Sequence, residues 1–577
     1  MFLEHAPGLE HRCGAVDEAR VAASSAALGV SAWAVRVALS RNPDLDDEAL
    51  ARWIHPRLGH LRPPSGMAGF EAALALLADA VQHDRRIGVF GDYDADGVTS
   101  SCMLSSFLRE LGATVVATVA SREGGYGFTV ERAKTFADAG CELVLTADCG
   151  TSDHEALGWL RARGIRSVVI DHHQVPEVSP PTDAFINPWQ PGCDFVFKHL
   201  CSAGVAFYLC AALRTHLRGG TGGERSLPDP RAWLDVAAIG TICDMVPLID
   251  ENRVLVRQGL TGPSVRNRPA LRGLLHKSRV RPHQEVTEGF IGFTVGPRLN
   301  APGRLGAAEP ALRWLSATSD AEAAQHLKTV ETINRARKSH QVRVVDEARE
   351  MLRAHPELAA RPAIALASET WPHGVVGLAA GTLASEHRRP AFVMAVDAAT
   401  GEVRGSARTD SGVNVHRALQ DTEGLLLRHG GHPAAAGFSL SMDRLEAFVD
   451  ALQGAVQTQR AQLGEVAPTP YDAALALEEV SASLVHDLRA AAPFGQQAPA
   501  PVFLTQDARV RVTRVFAQQH LEIVLAQGGV EQRAVFFGGA GAPLSPGDRV
   551  SCLFEPEIDT YRGPDRVALR IQHLWRT

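Results

Sequence analysis

Between Ile87 and Ile170 short apolar segments alternate with amphipathic ones, and this alternation restricts the chain more than any other feature. It predicts strand 87–90, helix 99–111, strand 114–120, helix 129–139, strand 142–146, helix 154–163 and strand 167–170. Strands separated by helices of this length form a mainly parallel sheet covered on both faces, so the fold class is α/β. In an open parallel sheet the ligand crevice lies beyond the carboxyl ends of the strands.

The residues at those ends carry chemistry. The first strand runs into Asp92, Asp94 and Asp96, the third into Asp148 and Gly150, and the fourth into Asp171, His172 and His173. An extended backbone through 92–96 would turn its three carboxylates to one side. Acids so close repel, and a hard divalent cation with oxygen ligands is the economical counter-charge. A solvated Asp-rich turn, helped by Gly91 and Gly97, accounts for that segment by itself equally well. The repeated delivery of acids and histidines to strand ends favours the metal site. Asp244, set among Ile242, Cys243, Met245 and Val246 at the end of an apolar helical pattern, adds a fourth contribution, since an acid there is costly to bury unpartnered.

A chain of 577 residues with 45% hydrophobic content can fill the cores of three to four domains. No stretch reaches the roughly 20 apolar residues of a membrane span, and the N-terminal residues lack a signal-peptide plan, so a cytoplasmic location and no membrane partner are expected. The nine cysteines are odd in number and form no CxxC pair, which argues against a disulfide framework and a thiolate zinc site. The net charge of −7 neither suggests nor excludes a nucleic-acid partner, because an acidic metal site masks local basic patches.

Around the alternation, 1–64 is expected to be a helical N-terminal segment and 65–315 the first α/β lobe. GPRLNAPGRLG, 296–306, is expected to be a stiff loop whose Arg298 and Arg304, with Asn300, hold phosphate oxygens. A polar, breaker-free stretch predicts a connector helix within 316–358. A second α/β lobe, 359–465, contains GSART with Ser406 and Arg408, and HGGHPAAAGFS with His432. The last part, 466–577, carries five or so short strands, the count of an OB-like β-barrel.

Together these motifs resemble the DHH phosphoesterase superfamily, and within it the bacterial RecJ single-stranded-DNA exonucleases. The resemblance rests on GDYDADG (91–97), TADCG (146–150), DHH (171–173), GTICDMVPL (240–248), PRLNAPGR (297–304), GSAR (405–408), GGHPAAAG (430–437) and PFGQQAPAPVF (493–503), in family order. It implies two α/β lobes, the DHH and DHH-associated domains, and a terminal OB-fold. It also implies two divalent cations, Mn2+ or Mg2+, one between Asp92 or Asp94 and Asp148, the other among Asp96, Asp148, His172 and Asp244. Asp171 would orient a histidine. His173, Arg298, Asn300 and Arg304 would face the scissile phosphate or the strand, Arg122, Ser406 and Arg408 would receive a 5′-terminal phosphate, and His432 would line the interlobe cleft. Such a pair of cations activates water and stabilises in-line attack on a phosphodiester. The implied activity is 5′→3′ hydrolysis of single-stranded DNA by a monomer, in repair and recombination, with single-strand-binding protein and a helicase as partners. A small-substrate phosphodiesterase and an inactive single-strand-binding relative are the alternatives. Two departures stand out: Phe90 replaces a histidine common in the superfamily, and Trp371-Pro372-His373-Gly374-Val375 replaces the usual WHxGV.

Overall fold

Every residue of the strand Ile87–Gly91 is buried, as a strand covered on both faces requires. It is an interior strand, second in a five-stranded, all-parallel sheet in the order Val115–Val119, Ile87–Gly91, Leu143–Ala147, Arg166–Ile170, Ala184–Ile186. The computed structural model describes residues 1–3, 6–121, 127–220, 226–464, 468–559, 563 and 566–577. Side chains alternate between two cores along each strand. Ile87, Val89, Leu145 and Ile170 pack on Val98, Cys102 and Val205 of helices Ala95–Glu110 and Ser202–Gly220. Phe90, Val144 and Val169 pack on Phe136, Leu157 and Leu160 of helices Val130–Asp138 and His154–Arg161. Phe90 therefore belongs to the second core, with ring centroids 5.1 Å from Phe128 and 6.4 Å from Phe136.

The segment 296–306 is not the stiff loop its glycines and prolines suggest: Gly296–Leu305 is a helix, entered through a π turn at Ile291–Val295. Its glycines serve close approach instead, since a Cβ on Gly303 would lie 2.3 Å from the Tyr93 carbonyl oxygen. Pro297 stands in the first turn, where no intrahelical N–H is needed.

The connector is one helix of 35 residues, Asp320–Ala354, capped by Ser319 and about 50 Å long. Its Val344, Val345 and Ala348 share a core with Val375, Val376 and Ala379 of helix His373–His387. That core lies against the second sheet, ordered Arg428–His432, Ala435–Ser441, Glu402–Arg408, Ala391–Asp397, Ile364–Ser368.

In the terminal barrel, Phe503–Phe516 pairs with His520–Gln527 and with Arg549–Ile558, and Val567–Arg576 closes the circuit between Arg549–Ile558 and Val530–Phe536. Helices Glu18–Leu28, Ala32–Arg41 and Asp47–Ile54 fold into this same core, where Val35, Leu50 and Ile54 meet Phe503, Phe554 and Leu569. Phe2–Leu3 pairs in parallel with Leu574–Trp575. The N-terminal helices are thus part of the barrel's packing. Arg253 ties this body to the catalytic lobe: it is buried, its guanidinium lies 3.5 Å from the Trp53 ring centroid, and it donates to the carbonyls of Trp53 (2.7 Å), Ala491 (2.7 Å), Ala492 (2.9 Å) and Pro493 (3.0 Å).

Candidate metal centre

The sheet itself aligns the first acids. Asp92, Asp148 and Asp171 each follow the last residue of a strand, and each donates its N–H to the last residue of the neighbouring strand, Ala147 (3.2 Å), Ile170 (2.9 Å) and Ile186 (2.9 Å). Three carboxylates are fixed in one row along the carboxyl edge. Asp148 adopts φ +64°, a left-handed backbone that costs an L-residue energy and is held by this ladder.

Asp94 and Asp96 reach the row differently from the extended arrangement expected. The strand stops at Gly91, and the helix begins at Ala95 rather than 99. Asp94 is its N-cap, accepting through Oδ1 from the N–H groups of Asp96 (2.9 Å) and Gly97 (3.1 Å). Asp96 lies in the first turn, buried, and accepts from Ser202 N–H (2.7 Å) and Ala203 N–H (2.9 Å) at the start of helix Ser202–Gly220. Gly97 is required here, because a Cβ would sit 2.5 Å from Asp92 N and O. Asp244 ends helix Leu234–Cys243.

These elements converge on His172, whose Nε2 lies 3.3 Å from Asp148 Oδ1, 3.5 Å from Asp244 Oδ2 and 3.8 Å from Asp96 Oδ2. Three overlapping sets of donor atoms lie within 4.8 Å of one another: Asp92, Asp94 and Asp148; Asp96, His172 and Asp244; Asp148, His172 and His173. Asp92 Oδ1, His172 Nε2 and Asp244 Oδ2 are buried without a partner in hydrogen-bonding geometry. Orphaned buried donor atoms aimed into one space fit a cation.

The electrostatics agree. Burial, then repulsion from Asp94, pushes Asp92 up to about 8. Burial, then Asp96 and Asp94, pushes Asp244 up to about 9. Asp96 and Asp148 are raised, in both cases chiefly by burial, and burial lowers His172. Asp171 is the exception. Burial opposes its charge, but hydrogen bonding and charge attraction from His173 prevail and hold it below the usual carboxylate range. It accepts from the N–H groups of His172 (2.8 Å), His173 (3.2 Å) and Thr151 (3.2 Å), and from His173 Nδ1–H (2.7 Å). Burial lowers His173, but the Asp171 bond outweighs it and lifts the imidazole to about 9.

Family models described as the DHH family N-terminal domain, the DHHA1 domain and the RecJ OB domain match residues 86–241, 361–458 and 471–573. The single-stranded-DNA-specific exonuclease RecJ of Dickeya dadantii is 33% identical over 531 residues, covering 88% of this chain and 91% of that protein. The chain belongs to the RecJ family. The Escherichia coli protein of the same name is 31% identical over 537 residues, covering 89% of this chain and 91% of that one. The crystal structure of RecJ in complex with Mn2+ from Thermus thermophilus superimposes with a TM-score of 0.78 at 28% identity, covering 100% of this chain and 79% of that one.

The remaining expected residues of this RecJ chain have distinct placements. Asn300 Oδ1 accepts from Ala95 N–H (2.8 Å), so it supports the aspartate turn. Arg298 donates to Glu331 Oε1 of the connector (3.0 and 2.9 Å) and to Thr294 O (2.6 Å). Arg304 Nη1 lies 3.5 Å from the Gly374 carbonyl oxygen, where the two lobes touch. In the second lobe Ser406 and Arg408 face helix His373–His387, since a Cβ on Gly377 would lie 3.2 Å from Ser406 Oγ and from Arg408 Nη2. Burial lowers Arg408. His432 is exposed on the edge strand Arg428–His432, and His373 is exposed at the start of its helix. Arg122 lies outside the described residues. Sequence reasoning missed Ser202, whose backbone holds Asp96 and whose Oγ donates to Asp148 (3.3 Å); a serine opening an apolar helix carries no signal of this.

Proposed function

We propose that this RecJ-family chain is a metal-dependent 5′→3′ exonuclease that hydrolyses the phosphodiester bonds of single-stranded DNA. The observation that carries the reading is the convergence of Asp92, Asp94, Asp96, Asp148, Asp244 and His172 at one sheet edge with three of their buried donor atoms unpartnered. Asp92, Asp94 and Asp148 would hold one divalent cation and Asp96, His172 and Asp244 a second, with Asp148 shared. Manganese suits the mixture of carboxylate and imidazole better than magnesium, although both are compatible. When bound, two such cations lower the pKa of water and neutralise charge developing on a phosphodiester.

The protein's own groups do the rest. Asp171 keeps a proton at His173 Nδ1, which gives an imidazolium suited to a non-bridging phosphate oxygen. Arg408, half-buried and beside Ser406, would offer a cation to a 5′-terminal phosphate, with Arg122 as a further contributor. His432 and Arg304 would line the interlobe cleft that receives the strand. Arg298 and Asn300 act indirectly, by holding the connector and the aspartate turn. The RecJ OB domain adds a surface for single strands. A monomer in the cytoplasm, working in repair and recombination with single-strand-binding protein and a helicase, completes the proposal; among the described residues no single helix is long and apolar enough to cross a membrane. The terminal barrel and the complete donor set disfavour the small-substrate and inactive alternatives.

Incubation with Mn2+ and 5′-labelled single strands, duplexes and dinucleotides tests the reading. Single strands should be degraded from the 5′ end, and Asp94→Ala or His172→Ala should abolish hydrolysis while DNA binding persists. Full activity in either variant, or cleavage of dinucleotides alone, refutes it.

A further inference from the structure

Phe293 is the most exposed large apolar side chain described, at 81%, and it belongs to a turn packed against the helix that ends at Asp244. The π turn Ile291–Val295 explains its position. Ile291 and Val295 are fully buried, and the extra residue of a π turn leaves Phe293 projecting between them. The turn rests on the helix that ends at Asp244: a Cβ on Gly292 would lie 3.9 Å from Ile242 Cγ2, and one on Gly296 only 2.7 Å from Cys243 Sγ. The residue after Asp244 is Met245, 64% exposed and held at φ +59°, a left-handed conformation unfavourable for methionine. The turn is also fixed from its far side, where Arg298 donates to Thr294 O (2.6 Å) and pairs with Glu331. Two largely exposed apolar side chains therefore stand on elements that meet at the end of the helix carrying Asp244. Their water-exposed surface costs free energy that a stacked ring would recover.

We propose that Phe293, together with Met245, is a stacking platform for a nucleobase of the bound strand, positioning the backbone over the metal centre. A base is the fitting occupant because Met245 directly follows Asp244 and the turn bearing Phe293 packs on Ile242 and Cys243 just before it, and because aromatic stacking accepts every base, as an exonuclease requires. The proposal rests on the nuclease reading above. Phe293 is a positioning residue in this scheme and takes no part in proton transfer.

The test compares the full-length protein with its Phe293→Ala and Phe293→Trp variants on single strands in which one abasic residue is moved stepwise from the 5′ end. In the unaltered protein one abasic position should raise KM about tenfold, the size of one lost stacking contact. Phe293→Ala should raise KM about tenfold on the fully base-bearing strand, with kcat little changed, and should no longer distinguish that abasic position; Phe293→Trp should restore both. An unchanged KM in Phe293→Ala, or an undiminished response to the abasic position, overturns the platform while leaving the nuclease reading intact. Failure of the unaltered protein to cut any single strand overturns the nuclease reading and the platform with it.

Discussion

Asp92→Asn tests the electrostatics of the centre most directly. The candidate donor atoms of Asp92, Asp94 and Asp148 lie within 4.8 Å. Two unit charges at that spacing repel by roughly 3.5 kcal/mol at an effective dielectric constant of about 20. Asp92 is pushed up to about 8, chiefly by burial and then by Asp94, so the native metal-free protein binds a proton there that the unfolded chain has released from about pH 4 upward. More protons bound in the native state means that stability falls as pH rises, here from about pH 4 through about pH 8. The rise from about 4 to about 8 sets an upper bound of about 6 kcal/mol by pH 8, most of it from burial, and relaxation and water entry on ionisation bring the cost to about 3 kcal/mol. Asparagine removes that cost but leaves a buried amide poorly satisfied, at about 1 kcal/mol. The metal-free variant should therefore be stabler by about 2 kcal/mol at pH 8, which raises the melting temperature of a lobe of this size by about 4–8 °C. The gain should shrink towards zero at about pH 4.5. Calorimetry in chelator at both pH values, repeated with Mn2+, measures it; with Mn2+ the order should reverse, because the variant has lost a ligand. A metal-free variant that melts at or below the unaltered protein at pH 8, or a gain that does not depend on pH, refutes the reasoning.

Three further outcomes are expected. Asn300→Ala leaves Ala95 N–H without its acceptor and should cost about 1 kcal/mol at the aspartate turn, read as a several-fold loss of kcat with DNA affinity retained. Arg253→Met abandons carbonyls of Trp53, Ala491, Ala492 and Pro493 together; it should destabilise by at least about 3 kcal/mol and expose the chain near 491–493 to limited proteolysis. Asp171→Asn removes the charge that lifts His173 to about 9, so the His173 titration followed by NMR should move down towards about 6.5, and the stability that the raised imidazole contributes below about pH 6.5 should disappear.

The sequence by itself determined the sheet, the connector, the barrel and the acids at the strand ends, because each is written in local periodicity: a short apolar run followed at once by Asp92, Asp148 or Asp171 places those residues before any distant contact is known. The connector needed only 35 residues without a breaker. Partners brought together by chain folding were not legible. Asp96 is held by amides 106 and 107 residues away, and Asn300, which looks like a phosphate ligand among glycines and prolines, supports a turn 205 residues before it. The same glycines suggested a loop because conformational freedom and close approach demand the same residue, and only packing against Tyr93 and Cys243 separates the two. Likewise the amphipathic helices of 1–64 state that they must bury a face, but not that the face is covered by strands that begin at Phe503. Periodicity fixes which side of an element is apolar, and only tertiary structure decides what covers it.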